Sequence, residues 1–189
     1  EPPETQREVL HGLVWEELPT LIYGPGGIGK SIVALNLMNA LHTGRDVAGL
    51  KAHQGNCLYL DWETSQSQTW WRNKEILQAN GDDLDVWPDP EYPDSDRTKM
   101  LFYRFMSGPL VNDVKYLQKQ IRKLGIRTVC IDSAGPACGG EPENAAATLK
   151  FFKALRQIGD SEHPLQAIIL AHVTHEARKG GHISRFGSV

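Results

Sequence analysis

The chain is short of several things, and each shortage narrows what it can be. It has three cysteines in 189 residues, odd in number and widely separated. Two of them, Cys57 and Cys130, sit inside apolar strand-like runs and read as small core residues. That usage points to a reducing, cytoplasmic compartment. No apolar run approaches the length of a membrane span, and the N-terminus carries no signal-peptide pattern, so no membrane association is expected. The sequence opens on Glu1 rather than methionine and is read as a trimmed form, or the ordered part, of a longer chain. Basic residues are not in excess: 20 Lys and Arg stand against 23 Asp and Glu, a formal net charge of −3. That is no overall electrostatic footprint for nucleic acid, although a local patch is compatible with it. There is no internal repeat and no low-complexity tract. What remains is an ordinary globular composition in a chain long enough for one domain with a real core.

The most informative stretch is Gly24-Pro25-Gly26-Gly27-Ile28-Gly29-Lys30-Ser31, a complete match to G-x-x-x-x-G-K-[ST]. The glycines let the backbone fold tightly around an anion with its N–H groups inward, and the following helix adds the positive end of its dipole. Lys30 is placed to reach the β- and γ-phosphates of a nucleotide, and the Ser31 hydroxyl to ligate Mg²⁺. The candidate phosphate-binding set therefore runs from Gly24 through Ser31 and includes Ile32, the next residue of that helix. Context supports the motif. Residues 18–23 read as a short buried strand, and residues 31–42 as a helix closed by Gly44.

Strands and helices alternate through the rest of the chain. A second strand is expected at 56–62, a helix at 67–80 closed by Gly81, and a third strand at 100–106. Apolar residues at 110, 114, 117, 121 and 124 predict an amphipathic helix ending before Gly125. A fourth strand is expected at 127–132. A helix follows at 144–158, with Ala145, Leu149, Phe152 and Leu155 on one face, and then a fifth strand at 167–173. This α/β pattern implies a parallel sheet with helices on both faces. Two loops interrupt it. Residues 81–99 hold seven acidic residues and three prolines, and residues 175–186 are rich in Gly, His and Arg. The first reads as a solvated insertion.

A triphosphatase needs a second carboxylate for Mg²⁺, and Thr128-Val129-Cys130-Ile131-Asp132 supplies an apolar strand ending in aspartate. Ligands bind at that end of such strands, so Asp132 is the candidate Mg²⁺ residue with Ser31. Hydrolysis also needs a group to deprotonate or orient water. Ser133, not glutamate, follows Asp132, so the base must lie elsewhere. Glu63, just past the second strand, is the candidate, with Asp61 the alternative. At the end of the fifth strand His172, then Thr174, could touch the γ-phosphate. A zinc pair of His172 with His175 is the rival reading, but it lacks two further ligands at recognisable spacing.

With these residues in place, the chain resembles the RecA/DnaB-type P-loop ATPases, specifically their RepA-like hexameric-helicase branch, over almost all of residues 12–189. The loop at 24–31, Glu63, the Val129-Cys130-Ile131-Asp132-Ser133 run and the Ala171-His172-Val173-Thr174 segment match in order. Gly187-Ser188-Val189 resembles the start of the family's next strand. The resemblance implies a single RecA-like ATPase domain over 1–189, with strand order 3-2-4-5-1 and further strands beyond Val189. It implies ATP with Mg²⁺, a catalytic Lys30, a catalytic Glu63, a Walker B Asp132 and a γ-phosphate sensor at His172. The branch often has a lysine where His175 stands here. It also implies a homo-oligomer such as a hexamer, completed by an arginine or lysine finger in trans. Arg178, Lys179 and Arg185 cannot be assigned that role.

Two functions follow from different classes. One is a ring-forming helicase or translocase-type motor with single-stranded DNA as candidate partner. The other is a slow nucleotide-dependent switch or scaffold with a protein partner. Lys115, Lys119, Arg122, Lys123 and Arg127 form a basic stretch, but a solvated helix face explains it as well. The 134–144 loop is glycine-rich and not basic, unlike a pore loop that grips single strands. A small-molecule kinase is disfavoured because no second, basic lid segment is found.

Overall fold

The computed structural model describes residues 7–81, 101–140, 144–160 and 162–172. The acidic loop beyond Gly81, Thr174, His175, the basic residues after them and the 187–189 segment lie outside the described residues.

The chain opens with a small antiparallel hairpin, β1 (Glu8–Leu10) and β2 (Val14–Trp15), turning through Gly12 at φ 68°. There follow β3 (Pro19–Gly24), α1 (Lys30–Thr43), β4 (Asn56–Asp61), α2 (Gln66–Asn80) and β5 (Phe102–Phe105). A 3₁₀ turn (Leu110–Asp113) leads into α3 (Val114–Leu124), then β6 (Ile126–Asp132), a short α4 (Ala134–Cys138), α5 (Ala145–Ile158) and β7 (Gln166–His172). Helix ends are cut as the sequence suggests. Gly44, Gly81 and Gly125 take left-handed conformations after α1, α2 and α3, and Ser65 and Asn144 cap α2 and α5.

β3, β7, β6, β4 and β5 form one parallel sheet in that order. Counted from β5, this is the expected order of third, second, fourth, fifth and first strands. Period-two alternation splits the strands between two cores. Leu58, Leu60, Val129, Ile131, Ala167, Ile169 and Ala171 face one way, against α3, α4 and α5. Cys57, Tyr59, Cys130, Ile168 and Leu170 face the other, against α1 and the N-terminal hairpin. Both cysteines are fully buried, as expected.

Five local readings are corrected. β3, expected to be buried, lies at the edge of the described sheet with Leu21 and Tyr23 exposed. The stretch expected as a loop at 134–144 opens with the short helix α4. The hairpin was not anticipated; Leu10 and Val14 are both buried there, closing the core beside α1. The first turn of the 110–124 helix is 3₁₀, following directly on Pro109. The buried face of α5 is Phe151, Ala154, Leu155 and Ile158, whereas Leu149 is 71% exposed. Residues 151, 154, 155 and 158 satisfy the i, i+3, i+4, i+7 rule, and the face read from the sequence lay to one side of it.

Candidate functional site

The sheet register brings the predicted residues to one edge. Gly24 pairs with His172 and Asp61 with Asp132, so the ends of β3, β7, β6 and β4 open onto the same place. In a parallel sheet this carboxyl edge is where ligands bind.

The 24–31 loop leaves β3 and enters α1 directly. Gly27 and Gly29 have φ of 76° and 90°, and a Cβ at either would meet nothing within 4 Å. These positions are glycine for their backbone geometry and for the open surface above them. A Cβ at Gly24 would lie 2.4 Å from Ile28 Cδ1, the tip of an exposed side chain that can turn aside, so that contact alone does not demand glycine there. Lys30, only 8% exposed, folds back over the loop: Nζ donates to the carbonyls of Gly24 (3.0 Å) and Pro25 (2.8 Å) and lies 3.3 Å from His172 Nδ1. Ile32 lies in the first turn of α1, half exposed.

Asp132 ends β6 and is 3% exposed. Its carboxylate accepts a hydrogen bond from the Tyr59 hydroxyl at 2.6 Å and another from the Ser31 hydroxyl. Burial pushes its pKa above the usual carboxylate range; those two hydrogen bonds oppose the rise, and the nearby charges of Glu63 and Asp61 add to it. The Tyr59 and Tyr103 hydroxyls are also pushed up, burial first in both; Cys130 and then Asp132 add to it at Tyr59, and Asp61 at Tyr103, so both remain donors.

Glu63 follows β4. Its Oε1 accepts from the Ser133 hydroxyl and lies 2.7 Å from His172 Nε2. An ammonium can only donate, so these contacts are matched by the tautomer in which Nδ1 accepts from Lys30 and Nε2–H donates to Glu63. Lys30, His172, Glu63 and Ser133 thus form one connected chain. Asp61 sits differently. It is fully buried, and both its oxygens accept hydrogen bonds from protein donors, leaving no lone pair turned toward the loop.

All the described members of the predicted set, Lys30, Ser31, Glu63, Asp132 and His172, therefore converge. Three participants were not predicted: Ser133 on Glu63, Tyr59 on Asp132, and the hydroxyl cluster around Asp61. The tyrosine was legible in principle, because Tyr59 pairs with Cys130 and so lies diagonal to Asp132 on the same sheet face. Ser133 and Thr69 carry no pattern that marks them. A zinc site at His172 is not what the geometry favours, since both ring nitrogens face Glu63 and Lys30. Among the described residues, the cluster with metal-ligating side chains in reach of one another is Asp160, Glu162 and His163, after α5.

The open glycine cradle, the buried lysine beside it and the Ser31–Asp132 pair fit a nucleotide triphosphate with a divalent cation. A five-stranded parallel sheet in this order, with that loop between its first strand and helix, defines a P-loop nucleoside triphosphatase of RecA-like fold. The family comparison agrees: a family model described as an AAA domain matches residues 1–178, and the chain belongs to that family of P-loop ATPases. Nucleotide-dependent ATPase activity is the activity of this class. The match does not extend to a helicase branch. No curated protein matches the chain.

Proposed function

We propose that the chain hydrolyses ATP at the 24–31 loop, with Glu63 as general base, and that this hydrolysis drives a ring-forming motor acting on nucleic acid. The observation that carries the hydrolytic reading is the convergence of Lys30, Ser31, Asp132, Glu63 and His172 on one sheet edge. In this reading the backbone N–H groups between Gly26 and Ile32 and the Lys30 ammonium hold the β- and γ-phosphates, while Pro25, which has no N–H, shapes the loop. Ser31 and Asp132 would hold Mg²⁺, which supplies neutralisation of the charge on the phosphate oxygens. Glu63 accepts the proton of the attacking water, and His172, 2.7 Å away through Nε2, orients its carboxylate. The motor reading rests on the strand order and on the resemblance to hexameric helicases.

Glu63→Gln tests the hydrolytic reading. The amide keeps size and hydrogen bonding but cannot take the proton. ATP binding should persist while turnover falls about 10²–10⁴-fold; unimpaired turnover removes Glu63 from the role. The motor reading is tested by ATPase rate with and without single-stranded DNA, together with mass in solution with and without ATP. Stimulation and ATP-dependent assembly support it. A slow, monomeric, unstimulated enzyme points to the switch or scaffold instead.

A further inference from the structure

Asp61 ends β4, two residues before Glu63, and is 0% exposed. Burying a carboxylate is costly unless its lone pairs are filled. Here they are. Oδ1 accepts the backbone N–H groups of Glu63 (2.9 Å) and Thr64 (3.0 Å). Oδ2 lies within hydrogen-bond distance of the hydroxyls of Thr64 (2.8 Å), Thr69 (2.6 Å) and Tyr103 (3.1 Å), and the two threonine hydroxyls, 2.6 Å apart, share their hydrogens between each other and this oxygen. The donors come from the loop itself, from the first turn of α2 and from β5. On its other side the same loop is tied to β6, where Trp62 N–H meets the Asp132 carbonyl at 2.6 Å, and the Trp62 indole N–H reaches the Gly108 carbonyl at 2.8 Å.

We infer that Asp61 is the positioning residue of the catalytic site: a buried anion that clamps the main chain at Glu63 and Thr64 and thereby fixes where the Glu63 carboxylate sits. This rests on the reading of Glu63 as base. Asp61 is not itself the base, because it is closed to water and its oxygens are already occupied. Nor is the cluster explained as a strand cap alone. Two Asp61-bound amides would end the strand, whereas the hydroxyls of Thr69 and Tyr103 lock that turn to two further elements. A displacement of about 1 Å in a catalytic group can cost on the order of 10²-fold in rate. A residue acting only through Glu63 should change kcat and leave ground-state binding alone.

The test compares ATP hydrolysis and ATP affinity of the chain with those of Asp61→Asn, Thr69→Val, Glu63→Gln and the double variant Asp61→Asn/Glu63→Gln. Asparagine keeps one acceptor for the Glu63 and Thr64 amides but not the paired anion. Asp61→Asn should lower kcat about 10- to 100-fold with ATP affinity within about twofold. Thr69→Val, which removes one donor with little change of shape, should lower kcat by about 3- to 10-fold and serves alone if Asp61→Asn does not fold. In the double variant the Asp61 change should add almost nothing, because the group it positions has gone. An unchanged kcat in both single variants overturns the inference. So does an equal loss on the Glu63→Gln background, which would mark a purely structural role. If Glu63→Gln itself turns over normally, the reading of the base has failed, and the inference falls with it for that separate reason.

Discussion

His172 Nε2 lies 2.7 Å from Glu63 Oε1, and this contact joins the end of the β7 strand to the segment that follows β4. The ring's other nitrogen is 3.3 Å from Lys30 Nζ, so one side chain at the end of β7 touches groups from β3–α1 and from the end of β4. In the proposed reading, a group so placed would respond to a phosphate held by Lys30 and alter the orientation of Glu63. The linkage is local and needs no movement of the sheet.

His172→Ala should therefore slow hydrolysis through loss of the donor that orients Glu63, by about 10- to 100-fold, the range for a misplaced catalytic group. His172→Gln restores an N–H donor at similar reach and should recover part of that loss. Steady-state ATPase kinetics on both variants decide it. Equal rates for alanine and glutamine would mean that the hydrogen bond to Glu63 does not matter.

Lys30→Ala removes the cation from the loop, and also the donor that ties the Gly24 and Pro25 carbonyls together. Truncating a buried charge contact costs about 2–5 kcal/mol in binding. Calorimetric titration with Mg-ATP should show at least a 30-fold weaker Kd, about 2 kcal/mol at 1.4 kcal/mol per decade. An unchanged affinity would dissociate the loop from nucleotide binding.

Much of this arrangement was legible beforehand because the signals are local. The loop match fixes specific residues, the apolar run ending at Asp132 marks a strand end, and the glycines at 44, 81 and 125 mark helix ends. The hidden parts depend on register and on side chains meeting across elements. Asp61 could be read either as a base or as a structural carboxylate until its partners on α2 and β5 were in place. Nothing local marks Ser133, whose hydroxyl donates to Glu63 across from the end of β6 to the segment after β4. On α5, Leu149 fits a plausible apolar stripe, but packing against α3 selects the neighbouring face of Phe151 and Ile158.

Burial of the Asp132 carboxyl carries an electrostatic cost. Its carboxyl is held above the usual range chiefly by burial, so ionisation works against the folded state without a cation. Asp132→Asn keeps the shape and can still accept from Tyr59. The variant should be more stable than the parent by about 0.5–2 kcal/mol, the usual gain from relieving a functional site. It should also lose Mg²⁺-dependent ATP affinity. Denaturant unfolding without nucleotide reads the first effect and calorimetry the second. A variant that unfolds more readily than the parent contradicts the argument.

Asp160 offers the opposite sign. Arg122 Nε donates to its Oδ2 at 3.0 Å, and the backbone N–H groups of Glu162 and His163 donate to Oδ1 at 3.0 and 2.8 Å. The Arg122 side chain first, and the His163 amide after it, lower the Asp160 pKa from 3.8 to about 2. A carboxylate depressed in the folded state adds stability that is fully present above its ordinary 3.8 and is lost as pH falls through about 2. The pair lies near the surface, so salt screens it and its contribution is small. In a carboxyl titration followed by NMR, Arg122→Ala should move the Asp160 midpoint upward from about 2, yet short of 3.8, because the His163 amide still donates. The stability difference between parent and variant should then shrink toward zero as pH drops through that interval, and shrink likewise in high salt. A midpoint unmoved by Arg122→Ala would assign the depression to the turn amides alone and leave the connection from α3 to the end of α5 without electrostatic weight.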